Sequence, residues 1–96
     1  MNLTEEDLAS IRYRLATNPC EKLLAVTVTW DSSLRHLHLS YFCKGPMDEV
    51  DFDPITLGEV EIVADLPQVE TSGVSYVFDA LAADEALRNP GLVFRR

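Results

Sequence analysis

Apolar residues near the start of the chain recur three and four positions apart, at Leu8, Ile11 and Leu15. This spacing places side chains on one face of an α-helix. Thr4 is followed three residues later by Asp7, a pairing that resembles a capping box, and Pro19 would end the helix. The pattern predicts a first helix over residues 4–17.

The next two apolar runs alternate with polar residues, as in strands that bury one face. They cover residues 24–30 and 37–43 and are separated by the turn Asp31-Ser32-Ser33. The positions predicted to face the core are Leu24, Val26, Val28, Leu37, Leu39, Tyr41 and Cys43. The opposite, polar face would carry Thr27, Thr29, His36, His38 and Ser40. Together the two runs predict a β-hairpin.

Residues 54–66 fit a helix and a strand almost equally well. Apolar residues occur at helical spacing, but Val60, Ile62, Ala64 and Leu66 also alternate, and Gly58 is unfavourable inside a helix. A helix with Asp53 as its N-cap and Pro54 at its first position is weakly favoured, because a second helix would complete the layer over the sheet. The sequence alone leaves this segment undecided.

The end of the chain predicts two short strands, at residues 74–78 and 92–94, with either a helical turn or a loop over residues 81–88. A chain of 96 residues is long enough for one core but not for two. We therefore expect a single α+β domain over residues 1–96. Its predicted architecture is a two-layer sandwich in the order αββαββ, with an antiparallel sheet and two helices on one face.

Negative charge is concentrated in one segment. The chain has 16 acidic and 8 basic residues, a formal net charge of −8. Residues 47–72 account for the whole excess, since they contain no lysine or arginine and the acids Asp48, Glu49, Asp51, Asp53, Glu59, Glu61, Asp65 and Glu70. Such a chain repels nucleic acid and anionic membranes and favours a basic protein as its partner. The alternative is a solvated surface that only maintains solubility.

The sequence contains no apolar run long enough for a membrane span, and its start lacks the features of a signal peptide. We therefore expect a cytoplasmic protein that does not bind membranes. In that compartment Cys20 and Cys43 would be free thiols.

His36 and His38 are the strongest candidates for chemistry, because residues two apart on a strand share a face. A metal site would need further ligands, and none is evident on that face. Cys43 is predicted on the opposite face, and the known nucleophile and phosphate-loop motifs do not occur. We expect no catalytic residue, no cofactor and no bound metal, and we assign the histidines to a polar contact surface. A small enzyme or metal protein using both histidines is a less favoured alternative.

Several segments resemble a group of small bacterial proteins. They are LLAVTVTWD, LHLSYFCKGP, EVEIVADLP and the closing VFRR. They are similar to a strand of the form AV-x-V-x-W, an aromatic partner strand, an acidic helix ending like I-A-D-F-P, and a terminal V-[FY]-x-R strand. Many proteins of this size and charge are immunity proteins of polymorphic or contact-dependent growth-inhibition toxin systems. The resemblance implies a similar fold with the acidic segment as a helix, and the class implies immunity.

The sequence therefore predicts a non-catalytic binding protein that neutralises a basic toxin domain, such as a nuclease, by covering it with the acidic segment. The residues expected to contact this partner are Asp48, Glu49, Asp51, Phe52, Asp53, Glu59, Glu61, His36 and His38. Phe52 or Phe42 would serve as an apolar anchor. The alternative is a homo-oligomeric structural or adaptor protein, for example a homodimer, that pairs through an exposed edge strand.

Overall fold

The computed structural model describes residues 3–95 as a four-stranded sheet with three helices. The elements are α1 (Glu5–Thr17), β1 (Leu23–Asp31), β2 (His36–Cys43), α2 (Glu49–Asp65), β3 (Thr71–Val77), α3 (Ala80–Ala86) and β4 (Leu92–Arg95). The strands lie in the order β3-β2-β1-β4. The predicted α+β class is confirmed. The predicted order αββαββ is incomplete, because a third helix lies between the last two strands.

The sheet is mixed, whereas an antiparallel sheet was predicted. β1 pairs antiparallel with β2 and with β4, but β3 runs parallel to β2. Parallel neighbours need a long crossover connection, and the 17-residue helix α2 provides it. The prediction is wrong for β3 because alternation along a strand does not encode the direction of its neighbour.

Helix α1 begins where its capping residues predict. Thr4 Oγ1 accepts a hydrogen bond from the Asp7 N–H at 3.1 Å, and Asp7 Oδ2 accepts one from the Thr4 N–H at 2.9 Å. Ile11 and Leu15 are buried, while Leu8 packs against the edge of the core. The helix predicted over residues 4–17 is confirmed to within one residue.

Helices α1 and α2 share one face of the sheet with the main core. The core consists of Ile11, Leu15, Leu23, Val26, Val28, Leu37, Leu39, Tyr41, Cys43, Ile55, Ile62, Leu66 and Val93. The hairpin positions predicted to face inward are confirmed except for Leu24. A β-bulge between Leu23 and Ala25 shifts the register, so Leu23 is buried and Leu24 instead lines a groove beside α3.

Helix α3 contacts β1 and β2 from the other side of the sheet. Its buried residues Ala83 and Ala86 are small, which allows a close approach. Thr27, predicted on an open polar face, is only 6% exposed. The prediction of two layers is therefore corrected, since α3 adds a third layer over one end of the sheet.

Residues 54–65 are helical, Leu66 is the C-cap, and α2 begins earlier than Asp53. Asp48 is the N-cap: its Oδ1 accepts from the Asp51 N–H at 3.1 Å, and Asp51 Oδ2 accepts from the Asp48 N–H at 3.0 Å. Pro54 consequently lies inside the helix and cannot donate to the Val50 carbonyl. The Val50 residue is 75% exposed, so water can reach this region of the helix and reduce the cost.

Candidate protein-binding surface on α2

Four of the eight carboxylates of the acidic segment are paired with three bases within the molecule. The pairs, all with bases outside the segment, are Asp51 with Lys22, Glu61 and Asp65 with Arg14, and Glu70 with Arg35. These carboxylates hold elements of the fold together. The segment is therefore less negative at its surface than its sequence suggests.

The pairs around Arg14 join α1 to α2. Arg14 donates from Nε and Nη2 to both carboxylate oxygens of Asp65, at 2.7 and 3.0 Å, and from Nη1 to Glu61 at 2.9 Å. Ser10 Oγ donates to Asp65 at 2.9 Å, and Asn18 Nδ2 donates to Glu61 at 2.8 Å. Hydrogen bonding from Arg14 lowers the pKa of Asp65. We call these five residues the helix clamp. Glu61 belongs to this clamp and therefore stabilises the packing of α1 against α2.

Asp48 and Asp51 both stabilise the start of α2. In addition to the reciprocal capping bonds, Lys22 Nζ donates to Asp51 Oδ2 at 2.7 Å and to the Pro46 carbonyl at 2.9 Å. The hydrogen bond from Lys22 is the main reason that the pKa of Asp51 is lowered. Replacing Asp48 and Asp51 by lysine would therefore test folding as much as binding.

The solvent side of α2 combines apolar residues with free carboxylates. We define the outer face of α2 as its exposed residues Glu49, Val50, Asp53, Thr56, Leu57, Val60 and Ala64. Val50, Leu57 and Val60 are 75, 54 and 60% exposed. Within residues 3–95 neither Glu49 nor Asp53 forms an ion pair. The outer face therefore offers an apolar stripe next to two unpaired negative charges.

Phe52 and Glu59 face β3 and are not part of this outer face. The Phe52 ring meets the Tyr76 ring edge-on, with centroids 5.0 Å apart, and is partly buried. Glu59 Oε2 accepts a hydrogen bond from Ser72 Oγ at 3.3 Å. Phe52 thus anchors α2 to the sheet, and only part of its ring is open to a partner.

The two histidines lie on the other side of the sheet from α2, because they alternate with the core residues of β2. His36 Nδ1 is 2.7 Å from Thr71 Oγ1, and His38 Nε2 is 2.8 Å from Ser75 Oγ. The structure therefore divides the predicted contact residues between two surfaces that the sheet separates.

The apolar stripe was missed in the sequence analysis. Its positions 50, 57 and 60 follow helical spacing together with residue 53, opposite the buried Ile55 and Ile62. This spacing can be recognised in the sequence only if the helix is taken to begin at Glu49. Placing the N-cap at Asp53 left Val50 outside the helix and hid the stripe.

Both cysteines are free thiols, as expected. Cys43 is buried, and burial raises its pKa to about 11, which keeps it protonated and unreactive near neutral pH. In the described part of the chain, no group of three or more His, Cys, Asp or Glu residues is placed to hold a metal ion. Between residues 3 and 95, no helix has the length and apolar character needed to cross a membrane.

Comparison with models of protein families and with curated proteins gave no match for this chain. Its function is therefore inferred from the geometry and charge of its surfaces.

Proposed function

We propose that this chain is a non-catalytic binding protein whose α2 outer face docks onto a basic protein. The apolar stripe of Val50, Leu57 and Val60 supports this, because it is exposed at 54–75% on a helix whose other sides are packed. Stable interfaces bury apolar side chains at their centre and surround them with polar groups. Glu49 and Asp53 would form that polar surround.

The charge of the molecule supports a cationic partner. Its formal net charge is −8, and the carboxylates of Glu49 and Asp53 are not offset by bases within residues 3–95. Complementary charge accelerates encounter and disfavours acidic partners. Because the Debye length is about 8 Å at physiological ionic strength, this acceleration should decrease as salt is added.

The partner that we propose is a toxin domain with a basic surface, such as a nuclease, and the role is immunity in the cytoplasm. The resemblance of four segments to small bacterial immunity proteins supports this role. This protein would need no catalytic group to neutralise the toxin. When it binds over the active site of the toxin, it excludes the toxin's substrate.

The test is co-expression with the product of the gene immediately upstream, followed by affinity measurement and a growth assay. The informative variant is Glu49→Lys/Asp53→Lys, which reverses two charges that stabilise no other element. The matched control is Asp84→Lys/Glu85→Lys, the same charge change at exposed positions of α3. We expect the α2 variant to bind at least about tenfold more weakly, a loss of about 1.4 kcal/mol. Because Glu49 lies in the first turn of α2, the melting temperature should fall slightly, as expected for about 0.3–1 kcal/mol, while the protein stays folded. The α3 control should bind like the wild type.

The outcomes separate docking from immunity. Equal weakening in both charge-reversed variants would show that only net charge matters and would overturn docking through α2. A complex that forms without restoring growth would overturn immunity and leave the docking surface in place. Leu57→Ser provides a second check on the apolar stripe, and it should weaken binding without altering the salt dependence.

One observation favours the alternative of a homo-oligomer. Edge strand β3, Thr71–Val77, contains no charged residue, and charge is a common device that keeps sheet edges from pairing. Sedimentation velocity over a range of concentrations distinguishes the two functions. A concentration-dependent dimer would favour edge pairing, whereas a monomer is expected for the docking proposal.

A further inference from the structure

Gly73 of β3 lies beside the two histidines of β2 and leaves a space between their rings. A Cβ atom built on Gly73 would lie 3.1 Å from His38 Nδ1 and 3.5 Å from His36 Nε2. The ring centroids of the two histidines are 6.1 Å apart. One nitrogen of each imidazole therefore borders the same small volume, which a side chain at position 73 would occupy.

The other nitrogen of each ring contacts a hydroxyl of β3. His36 Nδ1 lies 2.7 Å from Thr71 Oγ1, and His38 Nε2 lies 2.8 Å from Ser75 Oγ. When these nitrogens carry the protons and donate to the hydroxyls, His36 Nε2 and His38 Nδ1, which border the shared volume, each keep a lone pair for a ligand. Hydrogen bonds to the outer nitrogen are the usual means by which proteins orient a metal-ligating histidine.

We propose that His36 and His38 form a two-imidazole site for a divalent transition-metal cation in the space above Gly73. Neutral imidazole suits Cu²⁺, Ni²⁺ and Zn²⁺, and affinity along this series is highest for Cu²⁺. Residues 3–95 supply no third ligand of the His, Cys, Asp or Glu type, so water completes the coordination. This site is independent of the docking function proposed for α2.

Two features of the surroundings favour a cation there. Asp31 stands opposite His36 in the pairing of β1 with β2, and the net charge of the chain is −8. Both lower the electrostatic cost of placing positive charge on this face. Thr27 of β1 is only 6% exposed, whereas His36 and His38 remain partly exposed and accessible to an ion.

The test uses Cu²⁺ as the probe and the full chain stripped of metal, followed by calorimetry and electron paramagnetic resonance at pH 7.5. A variant lacking both imidazoles, His36→Gln/His38→Gln, measures binding by the terminal amine, the carboxylates and the partly exposed Cys20 thiol, together with any reduction of Cu²⁺ by that thiol. We expect the wild type to bind one more equivalent of Cu²⁺ than this variant, with a spectrum showing two imidazole nitrogens. Equal stoichiometry and affinity would overturn the site.

The geometry is tested by Gly73→Ala, which keeps both imidazoles but places a methyl group in the shared volume. Gly45→Ala is the matched control, because a Cβ there would have no neighbour within 4 Å among the described residues. We expect Gly73→Ala to weaken Cu²⁺ binding at least about tenfold, the size of effect seen when the surroundings of a metal ligand are disturbed. The control should bind like the wild type, and equal binding by both variants would overturn the shared site.

Removing the Ser75 hydroxyl tests the orientation of His38 without placing any atom in the space above Gly73. Ser75→Ala leaves His38 free to rotate and should weaken Cu²⁺ binding about tenfold. Circular dichroism melts of every variant establish that each is folded. Unchanged affinity in Ser75→Ala would show that its hydroxyl does not orient the ring, which contradicts the proposed arrangement.

Discussion

The side chain of Tyr41 is completely buried on the core face of β2, with a relative exposure of 0%. Its ring stacks on the Tyr76 ring, with centroids 5.7 Å apart. Its hydroxyl, however, has no hydrogen-bond partner among the residues that the structure describes. A buried polar group without a partner costs about 1–3 kcal/mol. The ring therefore stabilises the core while its hydroxyl opposes folding.

Tyr41→Phe should consequently leave stability unchanged or raise it by up to about 1 kcal/mol, since it removes only the hydroxyl. Tyr41→Ala, the control for the ring, should cost about 3–5 kcal/mol through loss of packing. Urea unfolding of both variants measures these differences. A clear loss of stability in Tyr41→Phe would mean that the hydroxyl is bonded in solution.

The same variant has a predicted effect on alkaline stability. Burial raises the pKa of Tyr41, so the folded state favours the neutral hydroxyl. The resulting stability is complete below the unfolded pKa of about 10 and is lost as the pH rises above it. Tyr41→Phe should therefore retain more of its stability above pH 10 than the wild type.

At the scale of elements, two glycines determine how closely neighbouring segments approach. Gly58 lies in α2 against the end of α1, where an added Cβ would be 3.7 Å from Asn18 Cβ, an ordinary contact. Gly91 precedes β4, and its carbonyl accepts a hydrogen bond from the Val28 N–H at 2.9 Å. A Cβ on Gly91 would overlap the Val28 carbonyl oxygen. The two positions should respond oppositely to the same substitution.

Gly58→Ala should stabilise the protein by about 0.5–1 kcal/mol, because alanine favours the helix and its methyl group fits. Gly91→Ala should destabilise it by more than about 1 kcal/mol, because β4 must move away from β1. Thermal unfolding of the pair checks both signs. A destabilised Gly58→Ala variant would show that α1 and α2 pack too closely at this point for the added methyl group to fit.

At the scale of the whole molecule, an excess of negative charge coexists with ion pairs that join distant segments. The helix clamp connects residues 51 positions apart, Arg14 and Asp65. The pKa of Asp65 is lowered mainly by Arg14, and that of Asp51 mainly by Lys22. A carboxylate with a lowered pKa stabilises the fold above its unfolded pKa, and this stabilisation is lost as the pH falls through the folded value.

Arg14→Met should therefore lower the melting temperature at pH 7, and the loss should shrink as the pH falls through the lowered pKa of Asp65. Arg12→Met is the control, since Arg12 is an exposed arginine on the same helix and the charge change is identical. Its melting temperature should stay close to the wild type over the same pH range. A loss for Arg14→Met that stays the same as the pH falls through this range would contradict a role for the ionised clamp.

Features that depend on near neighbours could be predicted from the amino-acid sequence. Helix α1 follows from the Thr4–Asp7 cap and its apolar spacing, and the inward side of the hairpin follows from alternation. The α+β class could be predicted because both periodicities are local. The sequence also showed that the excess of negative charge lies in residues 47–72. It could not show which of these carboxylates form ion pairs, because their basic partners are distant in the chain.

Features that depend on residues far apart in the chain could not be predicted from local patterns and are seen in the folded protein. These are the parallel direction of β3, the third layer formed by α3, the pairing of four acids with distant bases, and the position of Gly73 beside two histidines. The bulge at Leu24 belongs with them, because it is defined by pairing with β2. Their common physical reason is that hydrogen bonds, ion pairs and close contacts form between surfaces, and the crossover through α2 determines which surfaces meet.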